Sequence, residues 1–108
     1  MISCGVDLLS NKYFAKYANN ENFLKKVFHV SELKDKKKLA SIFTLKEATM
    51  KALGWKIDWK LIQIYYSEKN KPIITLADEI KPRNFLNIDG TISHASGLTI
   101  GFVIIEKR

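Results

Sequence analysis

The longest uninterrupted helical pattern in this chain runs from roughly Lys37 to Leu53, and it limits what the rest can be. Leu39, Ile42, Phe43, Met50 and Leu53 fall on one stripe at helical spacing. Gly54 follows where a left-handed residue commonly ends a helix. On either side the apolar residues run in short strand-like stretches: Ile2 to Leu9, Leu61 to Tyr66, Ile73 to Leu76, Thr91 to His94 and Thr99 to Glu106. One long amphipathic helix among strands is buried by laying it on a sheet. The pattern therefore predicts an α+β fold, with an antiparallel sheet packed against the helix.

Shorter pieces fill the gaps. Ser10 or Asn11 can cap a segment in which Tyr13, Phe14, Tyr17, Phe23, Leu24, Val27 and Phe28 recur at helical spacing. Asn19-Asn20 interrupts it, which suggests a helix, a turn and a second helix. Ser31-Glu32-Leu33 opens a short helical piece, and Glu68 to Pro72 reads as a turn between strands. Pro82 leaves room for only a short helix between Asp78 and Asn87.

Several polar residues stand out against this frame. Asp7 ends the first apolar strand, where a carboxylate is costly unless it is paired, holds a cation or caps the next segment. Glu47 and Lys51 are four apart on the long helix, the spacing of an ordinary exposed ion pair. Lys46 falls among the stripe positions, so its stem is expected to be covered and its amine directed outward. Lys36-Lys37-Lys38 occupies the expected first turn, where cations oppose the helix dipole.

A chain of 108 residues suits one domain, residues 1–108, with a modest core that oligomerisation would help. Its 46 % apolar and 27 % charged content excludes a disordered tail. The net charge of +7 favours acidic or phosphorylated partners. Only Arg83 and Arg108 are arginines, however, which argues against reading guanine edges in DNA. A small basic nucleic-acid-binding domain is further disfavoured because the aromatics recur in core-like patterns rather than as a stacking platform. Cys4 alone cannot form an internal disulfide or a zinc finger. The first residues lack a signal-peptide pattern, and no apolar run approaches the about 18 residues of a membrane span. The expected location is cytoplasmic.

Taken in order, Gly5-Val6-Asp7, the helix Phe43-Thr44-Leu45-Lys46-Glu47-Ala48-Thr49-Met50-Lys51, the turn Asn70-Lys71-Pro72 and the pair Ser93-His94 before a last apolar strand resemble the holo-acyl-carrier-protein synthase family of 4′-phosphopantetheinyl transferases. The resemblance spans nearly the whole chain, and the helix is its specific part. It implies transfer of phosphopantetheine from coenzyme A to a serine of an apo carrier protein, releasing adenosine 3′,5′-bisphosphate. It also implies magnesium held by Asp7 and Glu47, with Lys51 on the pyrophosphate and Lys51 and Glu47 as catalytic residues. Lys46, Ser93 and His94 become candidates for binding coenzyme A; helix packing for Lys46 and a structural role for His94 are the competing readings. Lys12 and Lys16 stand where the family docks its acidic carrier, and a homotrimer with shared sites is the family's common assembly.

The chain departs from the family in places. Gly54-Trp55-Lys56-Ile57-Asp58-Trp59 replaces a glycine-rich loop beside coenzyme A, Ile42 replaces an arginine, and Ser10 replaces an acidic residue. These changes suit a divergent paralogue, and a weakened relative that only binds coenzyme A or a carrier is the alternative.

Overall fold

A computed structural model describes residues 1–108. Strand β1 (Ile2–Ser10) leads into two short helices, α1 (Asn11–Tyr17) and α2 (Glu21–Val27). Two 3-10 turns (Glu32–Lys34 and Lys36–Lys38) precede the long helix α3 (Leu39–Leu53). Strands β2 (Ile62–Tyr66), β3 (Pro72–Leu76), β4 (Phe85–Ala95) and β5 (Leu98–Lys107) complete the chain. The expected α+β class holds, but the antiparallel strands form two sheets, β1-β5-β4 and β2-β3. No helix is long and apolar enough to cross a membrane.

Local chemistry explains the boundaries. The Ser10 hydroxyl accepts from Tyr13 N at 3.3 Å and caps α1, while Asn20 Oδ1 accepts from Phe23 N at 3.1 Å and caps α2. The interruption at Asn19-Asn20 is thus the start of a second helix. Helix α3 begins at Leu39, later than expected. Lys36 to Lys38 lie before it in a turn capped by Asp35, so these cations do not sit in its first turn. At the other end Gly54 adopts φ 90° and its N–H bonds the Met50 carbonyl at 2.9 Å.

Two strand expectations change. β4 passes straight through Asp89-Gly90 and is much longer than Thr91 to His94. Asp7 lies inside β1, three residues before its end, and the capping role belongs to Ser10.

Helix α3 lies against one face of the β1-β5-β4 sheet, and glycines let it come close. A Cβ on Gly5 would stand 2.0 Å from the Ala48 carbonyl oxygen, so only glycine permits the approach of β1 to α3. Leu45, Ala48, Val103 and Ile105 form the buried seam, and Ile62, Ile64 and Ile74 continue it under the smaller sheet. The opposite face of the large sheet is uncovered. There Ile2, Val6, Leu8, Leu98, Ile100 and Phe102 are 37–64 % exposed. At the open end of the sheet, Met1 and Lys107 exchange hydrogen bonds that close β1 onto β5.

Candidate active site

Residues of β1 alternate between the two faces, and Asp7 shares the helix-facing side with Gly5 and Leu9. The close approach at Gly5 brings α3 against this strand, and Lys51 reaches across to it. The Lys51 ammonium donates to Asp7 Oδ1 at 3.1 Å and to the Val6 carbonyl at 3.0 Å. Its side chain is still 57 % exposed, against 11 % for Asp7, so the cation keeps a free flank.

Glu47 does not pair with Lys51, as helical spacing alone would suggest. It is half-buried and makes no ion pair. Burial pushes its carboxyl above the usual range, the Asp7 charge adds to the rise, and Lys51 and Lys56 oppose it. Two nearby carboxylates, one paired on a single side and one without a cation, leave unspent negative charge at one spot. No cluster of three His, Cys, Asp or Glu side chains surrounds it, so the chain provides no complete protein cage. Two carboxylates with room for water and substrate oxygens suit a small hard cation such as magnesium.

Two clefts meet at Glu47. One, of about 460 Å³, runs along Lys51 and Gly54 to the loop carrying Trp55, Lys56, Ile57 and Trp59. The other, of about 400 Å³, joins Asp7 and Glu47 to an aromatic wall of Tyr13, Phe14, Tyr17, Phe23 and Phe43. The Phe43 ring stacks on Trp59 at 5.0 Å and 20°, tying the two walls together. Lys12 and Lys16 are exposed on α1, the helix that forms part of the aromatic wall.

His94 lies elsewhere, in a groove of about 390 Å³ with Lys38, Ser41, Tyr66, Asn70 and Lys71. Thr99 donates its hydroxyl proton to Asn11 Oδ1 at 2.7 Å and so accepts from His94 Nδ1 at 3.0 Å. Nε2 of the same ring lies 3.4 Å from the Ser41 hydroxyl. Strand β5 separates β4 from β1, placing them roughly 10 Å apart. One chain therefore holds His94 away from Asp7 and Glu47. Ser93 is not brought to His94 either, because it pairs with Ile100 on the opposite, uncovered face.

Lys46 corrects the expectation of an outward amine. It is fully buried, and its ammonium is used by Val27 O, Glu32 Oε1 and Trp59 O, leaving no proton for a coenzyme phosphate within this chain. Burial pushes its pKa down, while the hydrogen bond and charge of Glu32 hold it up. Glu32, expected only to open a short helical piece, is the buried partner of Lys46. It is one of two acids, with Asp35, in a lysine-rich stretch, and it reads equally well as the opening of a helical turn.

Comparison with known proteins agrees with this architecture. Residues 3–103 match the family model of the 4′-phosphopantetheinyl transferase superfamily. Holo-[acyl-carrier-protein] synthase from Helicobacter pylori is 34 % identical over 114 residues, covering 95 % of this chain and 96 % of the relative. The crystal structure of the Helicobacter pylori synthase in complex with coenzyme A superposes with a TM-score of 0.85 at 34 % identity, covering 98 % of this chain and 100 % of that one. The Neisseria meningitidis synthase, at 22 % identity and a TM-score of 0.87 with 99 % and 100 % covered, shares the fold. With its signature helix, its inward-facing Asp7 and these whole-length matches, the chain belongs to the holo-[acyl-carrier-protein] synthase family of 4′-phosphopantetheinyl transferases.

Proposed function

We propose that the protein transfers 4′-phosphopantetheine from coenzyme A to a serine hydroxyl of an acidic apo carrier protein, with magnesium at Asp7 and Glu47 and release of adenosine 3′,5′-bisphosphate. The observation that carries this reading is the convergence of Asp7, Glu47 and Lys51 at the meeting point of two clefts. Magnesium bound by these carboxylates supplies charge neutralisation at the pyrophosphate. Lys51 has an exposed flank from which to hold a phosphate oxygen, a charge-assisted contact that gains strength as the leaving group forms. Glu47 is this chain's own candidate to take the serine proton.

The cleft along Trp55 to Trp59 is assigned to coenzyme A and the aromatic cleft beside Lys12 and Lys16 to the carrier, whose acidic surface suits those lysines. A homotrimer would answer two facts at once. It would cover the apolar outer face of β1 and β5, and it would bring the His94 groove of one copy to the Asp7 cluster of another.

The test mixes the protein with coenzyme A, magnesium and a panel of apo carriers, and reads intact carrier mass. A phosphopantetheine-sized gain that disappears with EDTA is expected. Coenzyme A binding without any gain would favour the weakened relative. Salt-sensitive RNA or DNA binding with no affinity for coenzyme A would reject the reading altogether. Light scattering at several concentrations reads the assembly, and a monomer throughout would remove the shared site.

A further inference from the structure

A buried ion pair is an expensive way to hold a helix, because an apolar pair of the same volume often stabilises a fold as well or better. What the pair can do that leucine cannot is aim hydrogen bonds at particular carbonyls. The Lys46 ammonium meets Val27 O at 2.7 Å, Glu32 Oε1 at 2.8 Å and Trp59 O at 3.3 Å, one acceptor for each of its protons. Glu32 is equally committed. Its Oε1 also accepts from His29 N at 2.8 Å, and its Oε2 accepts from Ile64 N at 2.8 Å.

The two carbonyls are not arbitrary. Val27 ends α2, whose Phe23 forms part of the aromatic cleft. Trp59 ends the loop that walls the other cleft. Both clefts open at Glu47, the residue next to Lys46 on α3. One ammonium therefore grips the wall of each cleft from beneath the residue where they join.

We propose that Lys46 is a positioning residue for both substrates: by fixing the Val27 and Trp59 carbonyls it sets the walls of the two clefts beside Glu47. This rests on the transferase reading above. It also gives the aromatic loop of this chain a reason for its shape, since Trp59 is held by its carbonyl from below and by its ring against Phe43.

Two variants test it. Lys46→Met keeps the length and apolar stem and removes all three donated hydrogen bonds. Trp59→Leu removes the ring stacked on Phe43 and leaves the buried pair intact. Each is assayed well below its melting midpoint for KM and kcat toward coenzyme A and carrier, and Lys46→Met also for acrylamide quenching of Trp55 and Trp59. Lys46→Met should raise both KM values about 10- to 100-fold with a smaller change in kcat, and should increase quenching. Trp59→Leu should raise the KM for coenzyme A more than that for carrier.

A Lys46→Met protein with a lowered midpoint but unaltered KM values would overturn the proposal and leave a purely structural lysine. If that variant does not fold, an unchanged coenzyme A KM in Trp59→Leu overturns it in its place. A wild-type protein that modifies no carrier defeats the transferase reading instead. The quenching experiment then decides the positioning question without activity, and unaltered quenching in Lys46→Met sinks it.

Discussion

The buried node beneath α3 and the open cluster at its edge use the same ingredients, a lysine on the helix and a carboxylate from another segment. Beneath the helix, Lys46 and Glu32 have no exposure, and between them they satisfy two carbonyls and two backbone N–H groups. At the edge, Lys51 holds Asp7 and one carbonyl while more than half of its side chain faces water, and Glu47 beside it has no cation of its own. The first arrangement leaves nothing unspent and so cannot take a ligand. The second is incomplete in both charges, which is what a site for a cation and a phosphate requires. Charge pairs differ less in their members than in what they leave over.

The comparison breaks most sharply at Lys46. Removing one partner of a buried pair strands the other, so Lys46→Met should cost about 3–5 kcal/mol in denaturant unfolding. A loss under about 1 kcal/mol would place the pair with surface bridges and erase the contrast. Next in size is Glu47→Gln, which keeps the shape and removes the charge that the proposed function assigns to magnesium. Turnover on carrier should fall at least about 100-fold, equivalent to about 2.7 kcal/mol, with the melting midpoint unchanged or higher. A collapsed midpoint would instead make Glu47 structural.

Lys51→Met should lower turnover by roughly 10- to 100-fold while costing less than about 1 kcal/mol of stability, because its pair with Asp7 is largely solvated. If stability falls further than activity, the edge cluster is a fastening and not a site. The smallest effect belongs to the exposed pair of Lys71 and Asp89, 2.8 Å apart on the rim of the His94 groove. The hydrogen bond from Lys71 holds the Asp89 carboxyl below its usual range. A depressed folded-state value stabilises above the unfolded value and fades as pH falls through the folded one. Wild type should therefore exceed Lys71→Met by under about 1 kcal/mol at neutral pH, and the gap should close in acid. A gap that widens in acid would contradict this assignment.

Much of this was legible in the chain itself. The stripe of α3, the stop at Gly54 and the alternation of β1 and β5 are local patterns, and local patterns survive translation into structure. Asp7, Glu47 and Lys51 were legible through their order in the family signature, and the fold brings them together. Lys46 was misread because a lysine in an apolar stripe usually extends its amine to water. Its acceptors are main-chain carbonyls of Val27 and Trp59, which have no side-chain signature to find. The separation of His94 from Asp7 was hidden as well, since it follows from β5 lying between their strands.

That strand order has a consequence for how the protein is made. β1 is synthesised first, yet its only strand partner is β5, with Ile2 opposite Glu106. Pairing over so long a separation is slow, because the loop must close before any contact repays it. During translation the first strand has nothing to add to until the last has left the ribosome. Meanwhile α3 and the pair β2-β3 can already pack. Until β5 arrives, β1 can hold Asp7 beside Glu47 and Lys51 only through its packing on α3, with no strand hydrogen bonds to fix it there.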